Sequence, residues 1–391
     1  MNNKKQCRFL MNRGKTLVLS MVISANVSCI CMAASPDFAR TDQEWETIRD
    51  NRIEYEELGD LIHEYNATVQ DNLYEYNKFR QDYGDTNDEV VQAYYDLAED
   101  YYSEMTGDDD ASSRMSDLNL QIQGDNLQTQ GDESLEDSKI YQLTYEQAEK
   151  NLVAEAQSKM ISYYEALLQK KQAEMDLKEA QTALELYSLK KDAGTATELD
   201  VLQARETAET KEDERSELDI EIQSIRESLQ ILLGWKYNDN PEIGELPEID
   251  TEKIAAADLQ SDTEKALENN YSLKINERKL ENARGENTKK QLNDTIENNK
   301  NQIAASLSSA YQQIQSALLA WEQAKTEAEL EESRTQNAQV ELEAGVITQY
   351  GYDTQVYARD RSQISVETAA IALFTAMENY TWAVNGLAAA Q

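Results

Sequence analysis

Residues 303–328 read IAASLSSAYQQIQSALLAWEQAKTEA, and the apolar positions Ile303, Leu307, Ala310, Ile314, Ala317, Trp321, Ala324 and Ala328 alternate strictly by four and three. That spacing is the seam of a coiled coil, narrower than the stripe of a helix on a globular core. The same alternation runs through Ala173, Leu177, Ala180, Leu184 and Tyr187, and again through Leu218, Ile222, Ile225, Leu229 and Leu232. Alanines on these seams let helices approach closely. Proline occurs only at Pro36, Pro241 and Pro247, so nothing forbids helix across 37–240 or 248–391. Those stretches are rich in Ala, Leu, Glu, Gln and Lys, the strongest helix formers. The fold class this implies is all-α, made of long antiparallel coiled-coil helical hairpins with little or no β.

A shift of 151 residues lays Ala193-Gly194 on Ala344-Gly345. At that shift Ala166-Leu167-Leu168 meets Ala317-Leu318-Leu319, Gln172-Ala173 meets Gln323-Ala324, and Thr197 meets Thr348. Several matches in register on one seam indicate a duplication, and so two tandem hairpins. The turn of each can be read physically. Gly194 ends a helix by taking a left-handed backbone, and Thr197 caps the next with Asp200 completing a capping box. Gly345 and Thr348 repeat this, but Gly351 stands where the box needs an acid, so the second cap is expected to be weaker.

The chain divides accordingly. Lys4, Lys5, Arg8, Arg13 and Lys15 precede an apolar stretch from Leu17 to Met32 and then Ala33-Ala34-Ser35, the order of a signal peptide cleaved near Ala34. The alternative is an uncleaved membrane anchor, although the apolar run is shorter than a spanning helix. Residues 35–234 form the first repeat, 235–257 a linker around Pro241, Gly244 and Pro247, and 258–391 the second repeat. Within the first repeat, 41–104 is acidic, helical and rich in tyrosine, including Tyr94-Tyr95 and Tyr101-Tyr102, which reads as amphipathic packing. The Gly-, Asp-, Ser- and Gln-rich stretch 106–137 reads as a flexible loop.

The chain carries 37 Lys+Arg against 75 Asp+Glu, a formal charge of −38, a field that repels phosphate backbones, and no nucleic-acid partner is expected. All three cysteines (Cys7, Cys29, Cys31) lie in the leader, so the remainder has no thiol chemistry. His63 is the only histidine and reads as a solvated side chain on an acidic helix. Asp108-Asp109-Asp110 lacks the alternating ligands of a calcium loop and reads as solvated. No nucleotide-binding or nucleophile motif occurs, and neither a catalytic residue, a cofactor nor a metal is expected.

The segment Ala193-Gly194-Thr195-Ala196-Thr197-Glu198-Leu199-Asp200-Val201-Leu202-Gln203-Ala204 resembles the hairpin-tip motif of TolC-like outer-membrane efflux proteins. Lys265-Ala266-Leu267-Glu268-Asn269-Asn270 resembles the start of that family's repeat, and Leu229 to Gly234 the close of its first repeat. The resemblance covers most of the chain from about residue 41. It implies a homotrimer whose hairpins form an α-helical conduit in the cell envelope. That conduit would dock through its tips to a membrane-fusion adaptor and an ABC or other inner-membrane transporter. Gly194, Thr195, Thr197, Gly345 and Thr348 would then contact the adaptor. Asp200 would match an acidic position that narrows the tunnel mouth in some members; its alternative role is the helix cap. One departure stands out. Family members carry a β-hairpin in each repeat for a membrane barrel, whereas Arg284 to Asp294 is polar and runs straight into helix, and the first repeat has the 106–137 stretch there. A barrel-less secreted scaffold or spacer of the envelope, with no conduit, is therefore the rival expectation.

Overall fold

The computed structural model describes residues 41–236 and 238–389. The leader over 1–34, with its cysteines, lies outside the described residues. Two units are distinguished, one ending at Thr47 and one beginning at Ile48. Of the first, helix α1 (Asp42–Thr47) is described.

The second unit opens with strand β1 (Arg52–Ile53) and helices α2 (Leu58–Tyr65), α3 (Ala67–Tyr83), α4 (Asn87–Ser103) and α5 (Ala111–Glu133). Then come α6 (Ser138–Asp192) and α7 (Glu198–Leu232), the arms of the first long hairpin. Strand β2 (Glu242–Ile243) and helix α8 (Thr251–Ala256) lie in the linker. The second repeat consists of α9 (Leu259–Asn269), α10 (Tyr271–Asn282), α11 (Glu286–Glu343) and α12 (Gln349–Trp382), closed by a π-helical turn at Ala383–Leu387. Helices α6 and α11 have 55 and 58 residues, hence lengths of roughly 80–90 Å. Helices this long need a sustained packing surface, and the apolar alternation supplies it. Ile303, Leu307, Ala310 and Ile314 of the α11 seam are buried, in one cluster with Ala266, Leu273, Leu373 and Tyr380.

Each repeat is closed in the same way at the end opposite its tip. Asn66, between α2 and α3, accepts from the backbone of Thr68 and Val69 and donates to the Leu232 carbonyl at 2.8 Å. Asn270, between α9 and α10, accepts from Leu273 and donates to the carbonyls of Gly386 and Ala388. Gly234 and Gly386 have φ of +83° and +106°, and a Cβ on either would come within 2.6 Å of Tyr65 or Asn269 backbone. These two glycines are one residue further apart than the shift of 151, and the extra residue is taken up where the π-turn interrupts the α-helix. Strand β1 of the first repeat and β2 of the linker pair in parallel, Arg52 opposite Glu242 and Ile53 opposite Ile243. The Tyr164 hydroxyl donates to the Gly244 carbonyl at 2.7 Å, fastening the linker to α6.

The stretch 106–137 is not a loop. Most of it is α5, 23 residues long, lying against α4. Gly124 and Gly131, seven apart, present bare backbone to α4, and a Cβ at Gly124 would lie 2.3 Å from the Tyr102 ring. The Tyr102 hydroxyl donates to Asp125 at 2.7 Å, and that of Tyr95 donates to Asp132. Asp110 caps the helix, accepting from Ser112 and Ser113, and buried Asp117 accepts from the backbone of Thr106 and Gly107. An aromatic-on-glycine seam lacks the apolar alternation by which helices are recognised, which is why weak helix formers read as loop. The polar start of the second repeat, Arg284 to Asp294, does run into helix, as α11.

Candidate functional site

At the first tip, α6 ends in a six-to-one closure: the Thr195 amide donates to the Lys190 carbonyl at 2.8 Å and the Gly194 amide to Lys191 at 2.9 Å. Gly194 has φ of +72°, and no neighbour lies within 4 Å of where its Cβ would be. The glycine is required by the backbone conformation and not by crowding. At the second tip the Val346 amide donates to Glu341 at 2.8 Å and the Gly345 amide to Leu342 at 2.9 Å, with φ of +70°. Each of these atoms is the counterpart of one in the first tip at the shift of 151. The duplication therefore extends to individual hydrogen bonds.

The caps differ as expected. The Thr197 hydroxyl accepts from the Asp200 amide at 3.2 Å, while the Thr197 amide and hydroxyl both donate to Asp200 Oδ2 at 2.7 Å. The donation from the Thr197 amide, with its hydroxyl second, holds the Asp200 carboxyl below the usual carboxylate range. In the second tip the Thr348 hydroxyl accepts from Gly351 at 3.2 Å, and no side chain reaches back. Asp200 thus has both its carboxylate function and its position explained by capping within this chain.

Apolar side chains surround both tips in the open. Leu189 is 68% exposed and Val340, its counterpart, 64%. Leu199 and its counterpart Tyr350 are also exposed, as are Val346 and Leu202. Exposure at these positions has no signature in the sequence, although the shift of 151 that pairs the tips also pairs Leu189 with Val340 and Leu199 with Tyr350. Lys191 and Glu198 form an ion pair across the first turn. Both tips therefore carry exposed apolar side chains on an acidic chain.

Away from the tips the two hairpins are tied together through α6 and α12. Arg361 donates to Asp176 at 2.8 Å and also to Glu179, Lys171 pairs with Glu367 at 2.7 Å, and the hydroxyls of Thr182 and Tyr357 lie 3.0 Å apart. His63, on α2, lies 3.0 Å from Glu149 of α6 and so holds helices together where solvation was expected. Asp110 is a helix cap. Among the described residues no group of three or more His, Cys, Asp or Glu is placed to hold a metal ion, and no helix is long and apolar enough to cross a membrane.

No protein-family model and no curated protein matches the sequence. Solved structures do match its fold. The outer-membrane channel OprN aligns over 88% of this chain and 92% of its own at a TM-score of 0.52 and 14% identity. A membrane protein from Pseudomonas aeruginosa aligns over 85% and 90%, with a TM-score of 0.51 and 14% identity. The Campylobacter jejuni CmeC outer membrane channel aligns over 94% of both chains, with a TM-score of 0.50 and 11% identity. At such identities it is the arrangement of helical hairpins that is shared, and the fold of this chain is TolC-like.

Proposed function

We propose that this TolC-like chain is a component of an envelope export system, assembling as a homotrimer whose hairpins form or extend a helical conduit and whose tips grip an adaptor and, through it, an inner-membrane transporter. The observation that carries this reading is the matched pair of tips. Exposed apolar residues cost stability in water and solubility in the cell, so their recurrence at equivalent places in both repeats favours a partner that covers them. A periplasmic or cell-surface adaptor presenting its own helical hairpin would be met by Leu189, Val340, Leu199 and Tyr350 through apolar contact. Gly194, Thr195, Thr197, Gly345 and Thr348 would shape the turns that place them. In a threefold assembly Asp200 would also bring three carboxylates toward one mouth, disfavouring anions there.

Light scattering and negative-stain imaging of the purified chain in detergent-free buffer test the proposal. A trimeric ring with a central hole is the expected outcome, and a monomeric rod overturns the conduit. Leu189→Glu with Val340→Glu is expected to abolish adaptor capture while leaving the oligomer intact. One observation favours the rival reading of a scaffold with no conduit. The only described strands are the two-residue β1 and β2, and the end of each repeat opposite its tip is helical. A scaffold would keep the tips and the apolar platform but need no ring.

A further inference from the structure

We propose that the outer face of α5 is a self-association surface, by which a second copy of this chain packs against the first at the end opposite the tips. The inference rests on the homotrimer reading above.

The hairpin of α4 and α5 has two unlike outer faces. That of α4 is acidic: Asp88, Glu89, Asp96, Glu99 and Asp100 are exposed and the helix contains no base. On α5, Met115, Leu118 and Ile122 are 61%, 51% and 49% exposed. Their spacing of three and four puts them in one stripe, on the side away from buried Asp117, Gly124 and Gly131. Between Ala111 and Gln130 the only charged residues are Arg114, Asp117 and Asp125. Asp117 is buried on backbone amides and Asp125 accepts from Tyr102. In a chain of net charge −38, this is a long helical face left almost neutral.

Charge decides the occupant. Two copies of so acidic a chain repel wherever carboxylates face each other, so they can meet only where charge is thin. The α5 stripe is thin in charge and apolar, so a second copy can settle on it with little repulsion. A lipid surface fits worse. Helix α5 has no aromatic residue and one base, and it lacks the interfacial anchors of a membrane-surface helix. The tyrosine-on-glycine seam holds α5 in place on α4, so the face is preformed and little ordering is needed on association.

The test uses the full chain with Cys7, Cys29 and Cys31 changed to serine, so that an Ile122→Cys substitution supplies a single thiol. With a maleimide–succinimide cross-linker that joins the thiol to amines of a neighbouring copy, a covalent dimer on a denaturing gel is expected from Ile122→Cys, and none from a Glu99→Cys control on the acidic face. Leu118→Glu with Ile122→Glu is expected to raise the concentration of half-dissociation at least about tenfold by light scattering, with helical circular dichroism unchanged. An oligomer that forms but neither cross-links nor responds to the glutamates overturns this interface and leaves the conduit reading standing. A wild-type chain that is monomeric throughout overturns both. Flotation with phosphatidylcholine vesicles that the same glutamates abolish overturns the interface by assigning the face to lipid.

Discussion

At the tips the two repeats share their helix-ending hydrogen bonds atom for atom, although only the first has a reciprocal cap, whereas at the opposite end they share a closing clamp and little else. The first repeat inserts α4 and α5 before its long helix and starts that helix on Asp137, whose side chain is 0% exposed. Asp137 accepts from the Ile140 amide, from Arg278 at 2.6 Å and from Asn282 at 2.8 Å, tying both repeats together. The second repeat turns through Ala283 and Arg284 and starts α11 on Gly285, with no side-chain cap. Features retained in both copies belong to what a hairpin needs in order to be a hairpin. Features present in one copy are not needed for a hairpin to form.

The largest test of this contrast is Asp137→Ala. It removes a cap and leaves Arg278 and Asn282 without their shared acceptor, and is expected to cost about 2–4 kcal/mol in denaturant unfolding. Substituting Gly285 by alanine, at the corresponding helix start, is expected to change stability by less than about 1 kcal/mol. If the two behave alike, the asymmetry of the closed ends is decorative.

Gly234→Ala and Gly386→Ala probe the shared clamp. Each forces a left-handed residue to carry a Cβ against backbone 2.6 Å away, and each is expected to cost about 2–3 kcal/mol. Equal losses sharpen the comparison; a loss in one repeat alone would break the equivalence of the clamps.

At the tips, Thr197→Ala is expected to cost about 1 kcal/mol of local stability and Thr348→Ala about half of that, because only the first cap is reciprocal. Hydrogen exchange of the two turn peptides reads the difference. Gly351→Asp should complete the second box and slow exchange there, a gain of a few tenths of a kcal/mol.

Acid gives the smallest effect. Asp200 is held below the usual carboxylate range in the folded tip, so its contribution is present above the unfolded value and is lost as pH falls through the folded one. Protection of the first tip should therefore fade in acid relative to the second, which has Gly351 in that place.

The long hairpins were legible because their signal is local and repeated. Ile303, Leu307, Ala310 and Ile314 announce one buried face by spacing alone, and Gly194 with Thr197 announces a turn by backbone geometry and capping chemistry. The second tip's weaker cap could be read from one glycine. Helix α5 was not legible, since its helical state depends on Tyr95 and Tyr102 reaching Gly131 and Gly124 from another helix. The apolar platform was half legible: the shift of 151 pairs Leu189 with Val340, but pairing does not reveal exposure.

By itself the sequence determined the all-α class, the duplication, the two tips and the unequal caps, because helix propensity, heptad spacing and capping act within a few residues along the chain. Tertiary structure alone decided that 111–133 is a helix, that Asp137 binds Arg278 across the repeats, and that leucine and valine at the tips stay in solvent. Those outcomes depend on what lies opposite a residue in space, and burial of a carboxylate or exposure of a leucine has no signature in its neighbours in sequence.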